Sequence, residues 1–356
     1  GGSLNFPRRL HTVWCNASLA EAAKSFVCSL EEAARTRGLS CPVVVLKADA
    51  GVYPAFQSAS DPASSMGSGP AASLLGVWAL TSQRRQGTGN DVLMIDMGGT
   101  TTDLALMAGG QPLLAPGVLT VCGRPTLIRS LWTRSIPLGG DSSLRLRDGK
   151  ALIGPDRSGP ALALEDSYMA ERPPTLTDAL NVLGLCKLGD PDKSLSAIVL
   201  LASDPGSPEN VPHDLARIFV DTALEKIREE ARSLLDEINA RPVYTIRDLL
   251  VEKDLAPSEA VFIGGPAAAL AGPAQKAFGL SVFVPEESAF ANAIGAALAR
   301  PTRMADLYAD TLLGRMSIPD LGVEKNIDSL YELAAAKNDM NAAFEEVLDA
   351  DEDRQP

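Results

Sequence analysis

The stretch VLMIDMGGTTTDLALM, Val92 to Met107, decides how this chain is read. Val92–Ile95 lacks the polar alternation of a half-solvated strand, so it reads as a strand buried on both faces. Thr102–Met107 continues as its hairpin partner, and Gly109-Gly110 ends that partner. Between them stand Asp96, Gly98, Gly99, Thr100, Thr101, Thr102 and Asp103. Two readings of this bend stand side by side. One is a plain β-hairpin with a glycine turn and β-branched threonines that favour strands. In the other, Gly98 and Gly99 remove side chains so that backbone N–H groups can approach a ligand. Thr100, Thr101 and Thr102 then add hydroxyls to a concave nest of donors suited to phosphate. Asp96, at the carboxyl end of the strand, would hold Mg²⁺, and Asp103 would orient the loop or a water.

Outward from this hairpin, strands alternate with helices, which argues for an α/β fold. Upstream, Ser18–Arg37 reads as a helix with Leu19, Ala22, Ala23, Phe26, Val27 and Leu30 on one face. Pro42–Leu46 reads as a buried strand and Gly69–Leu80 as a closely packed helix. Gln86–Asn90 reads as a polar turn. Downstream, residues 135–160 read as short strands joined by glycine turns. Ala197–Leu201 reads as a buried strand and Pro212–Ala240 as a long amphipathic helix. Val261–Ile263 is a strand that ends in Gly264-Gly265-Pro266, followed by a helix to Phe278, a strand at Val282–Val284 and a small-residue helix from Ser288 to Arg300. Asn326–Leu348 reads as one or two helices, and Asp349–Pro356 as disordered.

The 356 residues suffice for two domains, and 46% hydrophobic residues allow a sizeable core. A net charge of −13 makes nucleic acid a poor partner. No run is apolar enough to span a bilayer, so no membrane is expected. Five cysteines without a CxxC spacing argue against a disulfide framework or zinc site, and point to reduced thiols in the cytoplasm. Two histidines leave little for a histidine-based metal site or triad. The opening Gly1-Gly2-Ser3 reads as a cloning scar or the edge of a fragment.

Gly264-Gly265-Pro266 repeats the theme of paired glycines after an apolar strand. By itself it is a tight strand–helix turn. Alternatively it lets a flat ring lie against backbone beside a helix N-terminus. Two such bends in one chain form the pattern of a nucleotide cleft.

DMGGTTTDLAL resembles the second phosphate loop of the hydantoinase/oxoprolinase family, within the actin, sugar-kinase and Hsp70 ATPase superfamily. Further motifs follow in the family's order: Gly67–Ala72, Gly139-Gly140-Asp141-Ser142, Gly154-Pro155 with Ser158–Pro160, Pro174–Ala179, Gly264–Pro266 and Ala291–Ala296. The resemblance implies a ribonuclease H-like (actin-like ATPase) domain over residues 41–300, with a mixed sheet flanked by helices. A connecting segment over 1–40 and a helical tail over 301–356 complete the chain. It implies ATP and Mg²⁺ as cofactors. Gly98 to Thr102, Gly139 and Gly140 would lie at the phosphates, and Gly264, Gly265 and Pro266 at adenosine. Asp96 would be the metal ligand. Asp178 would orient water or substrate, or else it only caps the helix Ala179–Leu188, with Thr177 or Asp178 as N-cap.

In that family ATP activates a cyclic amide by phosphorylation before ring opening. The chain departs from the family in lacking an N-terminal D-x-G-G-T copy, so half a cleft is expected, and in carrying Asp141 where the motif has glycine. Asp141 would either face the cleft or complete a turn. The partner implied is a small cyclic amide, or a partner enzyme subunit if the chain is an ATP-driven activator or a non-catalytic subunit. An oligomer or hetero-complex is the expected state.

Overall fold

A computed structural model describes residues 5–82, 84, 90–115, 119–165, 172–202, 212–240, 254–302 and 305–352. Helix α1 (Phe6–Thr36) is followed by β1 (Val44–Leu46), β2 (Gly51–Pro54) and α2 (Ser68–Thr81). The decisive hairpin is β3 (Val92–Met97) and β4 (Thr102–Ala108), followed by β5 (Gln111–Pro112), β6 (Thr133–Ile136), β7 (Ser142–Arg147) and β8 (Lys150–Arg157). Helices α3 (Leu176–Val182), α4 (Pro191–Ala202) and α5 (Pro212–Asn239) lead to β9 (Glu259–Ile263), α6 (Ala267–Phe278), β10 (Ser281–Phe283) and α7 (Ala291–Leu298).

The main sheet has six strands in the order β10-β9-β3-β4-β5, with β6 also paired to β4. Strands β3, β9 and β10 run parallel, while β4 runs antiparallel to β3, β5 and β6. An antiparallel hairpin extended by parallel strands behind helical crossovers is the ribonuclease H-like arrangement that the family resemblance implies.

Both faces of this sheet are covered, as the missing alternation of β3 requires. Leu93, Ile95 and Met97 of β3, with Leu104, Leu106 and Phe262, pack against α3, α5 and α6. Helix α5 supplies Leu215, Phe219, Ala223, Ile227 and Leu234, all buried at helical spacing. Each large side chain so buried contributes roughly 1.5–3 kcal/mol. Val92, Met94, Ala105, Met107, Val261 and Ile263 face the other way, against Ala71, Leu74 and Val77 of α2 and Ala291 of α7. Here two helices touch backbone to backbone. A Cβ on Gly76 would fall 1.9 Å from the Ala291 carbonyl oxygen, and one on Gly295 would fall 1.8 Å from that of Ala72.

Several expectations need correction. Ala197–Leu201 is not a strand but the end of α4, whose buried residues Ser194 and Ile198 stand one helical turn apart, with Leu200 exposed. Helix α1 starts twelve residues earlier than the pattern suggests, because the Asn5 side chain accepts from Arg8 N–H and Pro7 stands in the first turn. Its expected apolar face is largely solvated: of that set only Val27 is buried, and Phe26 is exposed. Strand β1 is only partly covered, with Val44 exposed.

The tail is not purely helical. Tyr308–Asp310, Arg315–Ile318 and Val323–Asn326 form a three-stranded antiparallel sheet before α8 (Leu333–Glu352). Helix α8 continues past Asp349, where disorder was expected, and residues 353–356 lie outside the described residues, as do 86–89 of the expected polar turn. Among the described residues no helix is long and apolar enough to cross a membrane.

Candidate nucleotide site

The glycine-rich bends meet in space. The Gly98 N–H donates to Thr101 O at 2.9 Å and closes the β3–β4 turn. A second bend is clipped onto its outer edge: Gly140 N–H donates to Gly98 O at 2.9 Å, and Asp141 N–H to Gly99 O at 2.7 Å. Contact is so close that a Cβ on Gly139 would lie 2.5 Å from Gly99 O. Thr177, at the start of α3, holds the second bend from behind, donating its N–H (2.9 Å) and hydroxyl (2.8 Å) to Gly140 O.

The third bend follows β9, which lies beside β3 in register, Ile263 opposite Asp96. Gly264 has φ +93°, and a Cβ there would fall 2.2 Å from Met97 O and 2.8 Å from Asp96 Oδ1. The Pro266 ring reaches within 3.2 Å of the place a Gly140 Cβ would occupy. Bends 98–101, 139–140 and 264–266 therefore share one neighbourhood.

The expected contributors divide into frame and surface. Thr102 is buried and donates its hydroxyl to Leu138 O at 2.6 Å, so it ties the hairpin to the second bend rather than facing a ligand. The N–H groups of Gly98, Gly139 and Gly140 are spent on Thr101 O, Ser142 Oγ and Gly98 O, so these glycines are bracing. Gly99 and Thr100, with Thr101 half covered, form the open tip. Gly265 is exposed, and a Cβ there would meet nothing within 4 Å.

Asp96 and Asp103 stand directly opposite each other across β3 and β4, on the face toward α2 and α7. Asp96 Oδ2 accepts from Ser73 Oγ at 2.5 Å, and Asn292 of α7 donates to the same Ser73 hydroxyl at 3.0 Å. Burial raises the Asp96 carboxyl above its ordinary value, and the Ser73 bond opposes this. Burial likewise raises Asp103, against a hydrogen bond from Ser135, and the neighbouring Asp96 charge raises it further. Among the described residues Asp103 Oδ1 is buried without a hydrogen-bond partner. Two facing, desolvated carboxylates with an orphaned oxygen fit a hard divalent cation, which is satisfied by one or two carboxylates plus phosphate and water. Among the described residues no group of three or more His, Cys, Asp or Glu side chains could hold a metal ion.

Asp178 takes the capping role that stood as its alternative reading, with the N-cap residue corrected. Its carboxylate is fully buried and accepts from Leu162 N, Ala163 N, Thr175 N, Thr175 Oγ1 and Ser194 Oγ at 2.7–3.3 Å. With these five donors it is a structural hub. It closes a capping box in which Thr175, and neither Thr177 nor Asp178, is the N-cap. Asp141 lies against the phosphate bend: its Oδ2 is 2.7 Å from where a Gly99 Cβ would stand, and Arg157 binds that oxygen through Nη2 (2.8 Å) and Nε (3.1 Å). Sequence reasoning missed Ser73, Ser135 and Arg157, and the roles of Asn292 and Thr177. The signal for Ser73 and Asn292 was a polar side chain set in a small, apolar helix stretch on each side of the helix contact.

A family model, hydantoinase/oxoprolinase, matches residues 9–305. Two solved structures are similar in fold. One is nucleotide-free acetone carboxylase, from work on ATP-dependent acetone carboxylation, with TM-score 0.64 and 20% identity, covering 81% of this chain and 39% of that one. The other is the ATP-dependent caprolactamase from Pseudomonas jessenii, with TM-score 0.63 and 18% identity, covering 93% of this chain and 45% of that one. This chain thus spans less than half the length of either. The family match runs through α1, the sheet and all three bends, and the chain belongs to the hydantoinase/oxoprolinase family.

Proposed function

We propose that this chain carries the nucleotide cleft of an ATP-dependent hydrolase of the hydantoinase/oxoprolinase type, acting on a cyclic amide. The observation that carries this reading is the meeting of the three side-chain-poor bends beside the facing carboxylates Asp96 and Asp103. Family membership supports it, as do the two ATP-dependent proteins of similar fold, one of them named for a lactam, which is a cyclic amide.

In this reading the tip Gly99–Thr101 receives phosphate oxygens through backbone and hydroxyl donors. Gly265 would offer a side-chain-free patch to the adenosine, with the Pro266 ring beside it. Asp96 and Asp103 would hold Mg²⁺, and Ser73, steadied by Asn292, keeps the Asp96 carboxylate oriented. When bound, Mg²⁺–ATP supplies an activated phosphoryl group for the amide oxygen, which opens the carbonyl carbon to water. The work left to the protein is positioning and charge neutralisation.

Calorimetric titration tests the nucleotide half of the reading. The chain should bind Mg²⁺–ATP, and Asp96→Asn, which keeps an acceptor for Ser73, should weaken binding by about 10- to 100-fold or more. Unchanged affinity in Asp96→Asn would remove Asp96 from the site. ATP hydrolysis stimulated by a hydantoin, 5-oxoproline or a lactam tests the second half. Stimulation by a protein partner alone would reassign the chain as an activator.

A further inference from the structure

We propose that Arg157 is a phosphate-binding residue of this cleft, with Asp141 as its positioning residue. The inference rests on the nucleotide reading above and adds a cation to it. The bends themselves bring neutral donors, and Asp96 and Asp103 bring negative charge. A polyphosphate needs positive charge beyond what a single metal ion provides, and arginine suits phosphate because its planar fork donates in pairs.

The structure places such a group at the bend. Asp141 is fixed at both ends of its backbone: its N–H donates to Gly99 O at 2.7 Å, and its carbonyl accepts from Ser158 N–H at 3.1 Å. Its side chain therefore lies over Gly99 with little freedom, 17% exposed. Arg157 ends β8, opposite Ser142, after an irregularity in the β7–β8 pairing between Ile153 and Arg157. Such a bulge re-aims the side chain that follows it. Both of its bonds run to the same oxygen, Asp141 Oδ2, and use two of the five guanidinium N–H donors. The Arg157 side chain is 53% exposed, so the guanidinium is held on one side and accessible on the other. An aspartate alone at this position would repel phosphate. Paired with Arg157 it becomes a tether for a cation.

The test is calorimetric titration of the full chain with Mg²⁺–ATP, Mg²⁺–ADP and adenosine. Arg157→Gln should weaken both phosphate-bearing ligands by about 10- to 100-fold, the size of one charged hydrogen-bonded contact, and leave adenosine within about twofold. Arg157→Lys should recover part of the loss. Asp141→Asn, which keeps an acceptor but loses the charge, should weaken Mg²⁺–ATP less than Arg157→Gln does. Equal loss for adenosine and ATP would mean that Arg157 only braces the fold, and would overturn the proposal. So would Arg157→Gln binding Mg²⁺–ATP as tightly as the unaltered chain while Asp96→Asn still loses it. An unaltered chain that binds none of the three ligands would remove the nucleotide reading itself, and this inference with it.

Discussion

Gly264→Ala would set a methyl group 2.2 Å from the Met97 carbonyl oxygen and 2.8 Å from Asp96 Oδ1, where ordinary contact begins at 3.4 Å. The first obstacle is backbone at the end of a central strand, so no flexible side chain can yield. The second is a carboxylate already held by Ser73. A φ of +93° adds strain of about 1–3 kcal/mol for any residue with a Cβ, and overpacking adds about 1–3 kcal/mol. The expected loss of stability is therefore about 2–6 kcal/mol. Gly265→Ala provides the internal control: it lies in the same bend, meets nothing within 4 Å, and should change stability by less than about 0.5 kcal/mol. Urea unfolding of both variants measures the difference, because equal m-values with separated midpoints report stability alone. If adenosine lies on Gly265, that variant loses nucleotide affinity while keeping its stability. Two variants unfolding within about 0.5 kcal/mol of each other would show that the third bend does not press on β3, and the shared neighbourhood of the bends would fall with it.

The remaining predictions concern the carboxylates. Both Asp96 and Asp103 are raised by burial, so between the ordinary carboxylate value and the raised one the folded chain holds protons that the unfolded chain has released. The stability that these two groups contribute to the ligand-free chain should then be greatest below the ordinary value and be lost as pH rises through the raised values. Asp103→Asn should flatten that slope and stabilise the ligand-free chain at neutral pH, while weakening Mg²⁺–ATP. A slope unchanged in thermal melts across pH would contradict the shift at Asp103. Asp178→Ala should cost about 3 kcal/mol or more, because five donors lose their acceptor in a buried site. Wild-type stability in a denaturant series would dismiss its role as a hub.

Much of the sheet was legible because β3 and β9 are apolar without alternation, which only burial on two faces explains. The long helix α5 declared itself by its period. Ala197–Leu201 failed because a short apolar run has no period to read, and its burial in α4 shows only at Ser194 and Ile198. The strands of the tail escaped notice because segments such as Val-Glu-Lys-Asn are mostly solvated, with little apolar pattern to mark them. In the site, glycine and threonine announced the bend at Gly98–Thr102. Which of those groups face outward depended on partners such as Leu138 O and the N–H groups of Gly140 and Asp141, more than thirty residues away in the chain, and no local pattern encodes them.

The backbone contact between α2 and α7 has a mechanical meaning. Gly76 against Ala291 and Gly295 against Ala72 leave no slack, so the two rods shift as one piece or stay still. Asn292 rides on one rod and Ser73 on the other, and their hydrogen bonds end on Asp96. A substitution that displaces α7 should therefore be felt at that carboxylate through Ser73.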